Sequence, residues 1–78
     1  MRITYDGNAD AAYIYLIDRI GQGEVAKTSV AGHGSPALNS INLDFDADGR
    51  LLGIEVLGAG RALKEETLQG AERIDRRR

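Results

Sequence analysis

The 78 residues are expected to form a single domain, long enough to fold alone yet able to bury only about 60% of the unfolded surface, so that a second copy would add to a thin core. The absence of cysteine excludes disulfides, thiolate metal sites and cysteine nucleophiles, and suits a reducing cytosol. Net charge is only −2 but unevenly placed: through residue 60 four Lys or Arg stand against eight Asp or Glu, and from Arg61 onward six stand against four, an acidic body with a basic tail.

The opening string MRITYDG lacks the long apolar core of a secretion signal, and no apolar run approaches the roughly 18 residues of a membrane span. A soluble cytoplasmic protein with no membrane partner is expected. Residues 1–6 alternate as a first strand, with Met1, Ile3 and Tyr5 on one side and Arg2 and Thr4 on the other. Asp6, Gly7 and Asn8 then supply three turn formers in a row.

Residues 11–17, AAYIYLI, are apolar on both faces and rich in aromatic and branched side chains, which predicts a central strand. Tyr13 and Tyr15 lie opposite Ile14 and Leu16, so both sides need cover. A helix can supply one. A second subunit most simply supplies the other, which predicts a homodimer with Tyr13 and Tyr15 at the interface; the alternative is a curved sheet that shields its own tyrosines.

After a turn at Ile20, Gly21, Gln22 and Gly23, residues 24–30 read as a third strand whose Glu24 and Lys27 suit a partly exposed or edge position. The longest irregular piece, 31–39, holds the only histidine, His33, between two glycines and near Ser35. It lacks the strand-turn-helix elbow that presents a nucleophilic serine, so His33 reads as an exposed loop residue.

Residues 40–58, SINLDFDADGRLLGIEVLG, carry the densest alternation and the acidic cluster. Asp44, Asp46, Asp48, Gly49 and Glu55 match the letter spacing of a calcium loop, which needs carboxylates at its first, third and fifth positions, a glycine turn, a bidentate glutamate and two flanking helices. The flanks deny the helices. Ile41, Leu43 and Phe45 alternate with polar residues before the turn, and Leu52, Ile54 and Val56 do so after it, the period of a strand.

With Asp48 and Gly49 as a two-residue hairpin turn, Phe45 faces Leu52, Leu43 faces Ile54 and Ile41 faces Val56, one apolar side throughout. A turn over 46–49 keeps that parity, whereas a three-residue turn would set Leu43 against Gly53 and is rejected. Asp44, Asp46 and Glu55 share the other side. They read as solvated residues, with divalent metal binding through the three carboxylates as the alternative.

Gly58, Ala59 and Gly60 break the sheet, and 62–75 favours a helix with a weak apolar stripe through Leu63, Leu68, Ala71 and Ile74, weakened at Gly70. Arg76, Arg77 and Arg78 then place positive charge at a helix C-terminus. With Arg73 they form a small basic patch without interleaved aromatics, a weak nucleic-acid signature. A solvated end is the simpler reading.

Three pieces together, ITYD with ADAAYIYL, then GEVAKT, then LDFDADGRLLGIEVL, resemble the YuzE-like small bacterial proteins, a family of unknown function. The likeness runs in order through most of 1–59; the 31–39 loop, which looks longer than usual, and the tail after Gly60 depart from it. The resemblance implies a small antiparallel sheet with little helix, and it carries over no activity, cofactor or catalytic residue. The resemblance also implies, from genes for small ribonuclease-like toxins that lie beside those of some members, an antitoxin-like, protein-binding role with a toxin as partner.

The expectation is therefore an α+β domain: a small antiparallel sheet of about five strands, a meander ending in the 40–58 hairpin, and one C-terminal helix. The core is 1–59, with the helix and basic tail over 60–78. A non-enzymatic, cofactor-free, protein-binding or self-associating module follows.

Overall fold

A computed structural model describes residues 1–31 and 41–75. His33, Ser35 and the remainder of the predicted loop after Ala31, together with Arg76, Arg77 and Arg78, lie outside the described residues.

Strands β1 (Arg2–Asp6) and β2 (Ala11–Tyr15) form a tight antiparallel hairpin in which Ile3 faces Ile14 and Tyr5 faces Ala12. Asp6 shapes the turn, its Oδ1 accepting the amides of Asn8 at 2.9 Å and Ala9 at 3.3 Å. Strands β3 (Lys27–Ala31), β4 (Ile41–Phe45) and β5 (Leu51–Leu57) form an antiparallel meander. The last strand, β6 (Glu72–Arg73), runs parallel to β1.

The order across the sheet is β3-β4-β5-β2-β1-β6, a mixed, mostly antiparallel sheet and not a meander in chain order. Apolar on both faces, β2 takes a central place between β1 and β5, where each side is flanked by a strand. The chain then crosses to the far edge. On the way, Glu24 donates its amide to the Gly21 carbonyl at 3.1 Å while its carboxylate accepts the Gly21 amide at 2.8 Å. That turn, with Gly23 at φ 79°, delays the third strand from the predicted residue 24 to Lys27.

The hairpin around Gly49 corrects the predicted turn. Asp46 donates its amide to Arg50 at 2.9 Å, Gly49 donates to Asp46 at 3.0 Å, and Gly49 sits at φ 83°, so Ala47, Asp48 and Gly49 form a three-residue loop. Phe45 faces Leu51 and not Leu52. A bulge then absorbs one extra residue of β5 between Asp44 and Phe45, and Leu43 meets Ile54 and Ile41 meets Val56 as expected. Both flanks are extended, unlike those of a calcium loop.

The predicted single helix over 62–75 is two short helices, α1 (Ala59–Ala62) and α2 (Glu65–Gln69), followed by β6. Leu63 caps α1 with extended backbone, φ −116° and ψ 150°, which breaks the helix before α2 starts. Gly70 ends α2, as a poor helix former does. Glu65 and Glu66 in the first turn of α2 suit the positive end of the helix dipole.

Side chains alternate along each strand, so the registers sort them into two faces. Ile3, Tyr5, Ala12, Ile14, Ile41, Leu43, Ile54 and Val56 share one. Buried Ala12, Val56 and Ala59 form its centre, with Tyr5, Ile14, Ile41 and Ile54 from the sheet and Ala62, Leu63 and Leu68 from the helical segment packed around them. The core is thin: among the described residues no large side chain is completely buried.

Asp10 fastens the helices to the sheet. Its backbone is left-handed, φ 51°, an uncommon conformation that Asp and Asn tolerate better than other side chains. Its carbonyl accepts the Ala59 amide at 2.9 Å, and its Oδ1 accepts the Tyr5 hydroxyl at 2.8 Å and the Gly60 amide at 2.9 Å. Replacing Asp10 by Ala removes two side-chain acceptor contacts and strains the left-handed residue, an expected loss of about 2–3 kcal/mol. Asn keeps an acceptor and the conformation, so urea denaturation should place Asp10→Asn well above Asp10→Ala.

Candidate functional site

The face turned away from the helices carries Arg2, Thr4, Tyr13, Tyr15, Asn42, Asp44, Gly53, Glu55 and Glu72, by the same alternation. Their polar and aromatic groups join laterally into a row. Glu72 pairs with Arg2 at 3.6 Å, and the Arg2 guanidinium lies 4.1 Å over the Tyr15 ring. Tyr15 meets Tyr13 edge to face, centroids 4.7 Å apart. The Tyr13 hydroxyl donates to Asp44 Oδ2 at 2.7 Å, and Thr28 donates to Asp44 Oδ1 at 2.6 Å.

That row touches all six strands, five spacings or roughly 24 Å. Gly53 is what lets it pass. A Cβ on Gly53 would stand 2.7 Å from Tyr13 Cζ, so only a bare backbone on β5 allows the ring to lie flat across it toward Asp44. Beneath the row Thr4 is 4% exposed, opposite Tyr13 on one side and Glu72 on the other.

Burial, followed by the hydrogen bond to Asp44 and the charge of that carboxylate, pushes the Tyr13 hydroxyl far above the usual phenol range. Tyr13 therefore stays neutral and donates, and it supplies neither a base nor a phenolate nucleophile near neutrality. Both tyrosines are half-buried, shielded in part by their own neighbours on the sheet.

The carboxylates marked as a possible metal set are placed apart in role. Asp44 takes two hydroxyls, and Glu55 accepts the Asn42 side-chain amide at 3.0 Å. Asp46 lies at the turn, its Oδ1 accepting the amides of Asp48 and Arg50, each at 2.9 Å. Among the described residues no three His, Cys, Asp or Glu side chains gather where they could hold an ion.

Arg73, the described member of the basic patch, is engaged within the chain. It pairs with Asp75 through Nε at 2.8 Å and Nη2 at 3.0 Å and lies 5.3 Å from the Tyr5 ring centroid. On the helix side, an open groove of about 490 Å³ runs beside Phe45, between Lys27 and Gly49. Among the described residues no helix is long and apolar enough to cross a membrane.

Periodicity located the tyrosines and the carboxylates. It missed Gly53, Arg2, Glu72 and Thr28, which act through cross-strand neighbours. A glycine inside an apolar strand was the one available signal, since it marks close approach by another group.

Two outcomes follow from this geometry. Gly53→Ala should drive Tyr13 off Asp44 and cost about 1–3 kcal/mol, and most of that cost should vanish in a Tyr13→Ala background, as a double-mutant cycle by chemical denaturation would read. The second concerns acid. The Arg73 guanidinium, then the Gly7 amide, hold the Asp75 carboxyl down to about 2. A depressed acid stabilises the fold above its unfolded value near 3.9 and ceases to do so as pH falls through the folded value. The Ile74 amide, which donates to Tyr5 at 3.0 Å, should lose exchange protection over that window, and Asp75→Asn should remove the pH step.

No match was found among curated proteins or among solved structures. Residues 2–59, from the first strand through the hairpin to the start of α1, match the family described as Protein of unknown function (DUF2283). The row from Arg2 through Tyr15, Tyr13 and Asp44 to Thr28 lies wholly inside that match, and the chain belongs to this family.

Proposed function

We propose that the chain is a non-enzymatic protein-binding module of the cytoplasm, a homodimer that offers the helix-free face of its sheet, centred on Tyr13 and Tyr15, to a partner protein. The observation that supports this reading is the lateral row itself. Its side chains are held by one another before any partner arrives, so little rotamer freedom is lost on contact, and half-buried aromatics beside charged groups are the kind of anchor that dominates protein contacts.

Charge selects the partner. Among the described strand residues the face carries Asp6, Asp44, Glu55 and Glu72 against Arg2 alone, so a second copy laid face to face would oppose like charges, whereas a basic surface would complement them. The resemblance to YuzE-like proteins adds the antitoxin-like version, with a small basic toxin as the occupant. The hydrogen bonds already accepted by Asp44, Asp46 and Glu55 favour this over a metal-binding role.

The test is capture from a lysate of the native host on the immobilised full chain, with Tyr15→Glu and Glu55→Lys as variants that leave Tyr13 on Asp44. A protein held by the wild type, released as salt rises and lost from both variants is the expected result. An unchanged set of captured proteins on folded variants overturns the assignment of the face.

A further inference from the structure

The main chain of β3 carries outward-facing donors and acceptors at the edge of the described sheet. Asp46 donates its amide to Arg50 across the hairpin, and main-chain groups alternate in direction along a strand, so Asn42 and Asp44 also point theirs at β5. Ile41, Leu43 and Phe45 then point theirs at β3. Their register partners are Ala31, Ser29 and Lys27. The amides and carbonyls of Thr28 and Val30 are left facing outward, and among the described residues β3 pairs with β4 alone.

We infer that two copies of the chain join through this edge, β3 against β3, about a two-fold axis at Ser29. In that register Ser29 faces Ser29 of the second copy, Thr28 faces its Val30, and Lys27 faces its Ala31. Thr28 and Val30 of each copy exchange both main-chain hydrogen bonds with their opposites, four in all, which uses every outward donor and acceptor between them. No like charges meet. Val30, 58% exposed on the single chain, gains a neighbour in Thr28 of the second copy.

An edge strand usually avoids such pairing by lysines, prolines or bulges. Here Lys27 sits at the end of the paired stretch, opposite a small residue, and β3 contains no proline. The opposite edge, β6, is two residues long, too short to offer the same template. An axis perpendicular to the sheet also puts both tyrosine rows on one side of a continuous twelve-stranded sheet, with the helices of both copies on the other.

This rests on the homodimer part of the proposed function, and its test separates the two. Val30→Pro removes an amide that points away from β4, so it deletes donors to the second copy while leaving the β3–β4 ladder intact. Light scattering should give twice the 8.4 kDa chain mass for the wild type and the single mass for Val30→Pro, with unchanged circular dichroism. Amide exchange on the wild-type dimer should show Thr28 and Val30 protected, with protection lost on dilution to the monomer.

A Val30→Pro protein that stays dimeric, or a dimer whose Thr28 and Val30 amides exchange freely, overturns the edge pairing and leaves the homodimer standing. A wild type of single-chain mass at high concentration overturns both. Protection of those amides in a monomer would mean that the chain covers its own edge, and would also overturn the pairing.

Discussion

The register of β4 on β5 decides what every other strand can do. The three-residue loop at Gly49 starts the hairpin one residue out of phase with its apolar pattern, and uncorrected it would set Leu43 against Gly53. The bulge near Leu52 restores the phase before Leu43 is reached, which returns Ile54 and Val56 to the helix side and sets Asp44 opposite Gly53. A slip of one residue inverts a strand's faces. Core and tyrosine row alike therefore depend on that single extra residue.

The two faces are built by different means. On the helix side the cover is small, and Asp10 holds it by accepting amides from the start of α1 and a hydroxyl from Tyr5. The other face has no covering element among the described residues and closes laterally, Tyr13 reaching over Gly53 to a carboxylate two strands away. Hydrogen bonds and edge-to-face rings there do what apolar burial does on the helix side. With few buried side chains in so short a chain, such lateral contacts form a large share of what fixes the fold.

Much of this was legible in residue order. Two-residue periodicity found the first five strands but not β6, the double-sided apolar run identified β2 as central, and the charges at Glu24 and Lys27 suited β3 to a partly exposed or edge position. The errors have physical causes. The turn was misread because letters show parity but not a bulge that restores it, and Asp46 stabilises the longer loop by accepting two amides. The helix over 62–75 was overextended because summed propensity ignores two extended residues, Leu63 and Lys64, and the pull of an unfilled edge on β1. Asp10 carried no signal, since its role depends on a contact fifty residues away.

Charge and hydrogen bonding set the sheet face and the β3 edge apart. A sheet face with four carboxylates to one guanidinium resists its own copy, because like charges brought out of water repel more strongly than exposed ones. The β3 edge, whose one charge at Lys27 would lie opposite Ala31 in the proposed pairing, has no such penalty. Joining at the edge, as proposed, would add strands without covering either tyrosine row. It would also order β3, whose Thr28 supplies one of the two hydroxyls on Asp44, and so stiffen the carboxylate that holds Tyr13. Proposed self-association and partner binding would then be coupled through Asp44, which accepts hydroxyls from both the edge strand, at Thr28, and the aromatic pair, at Tyr13.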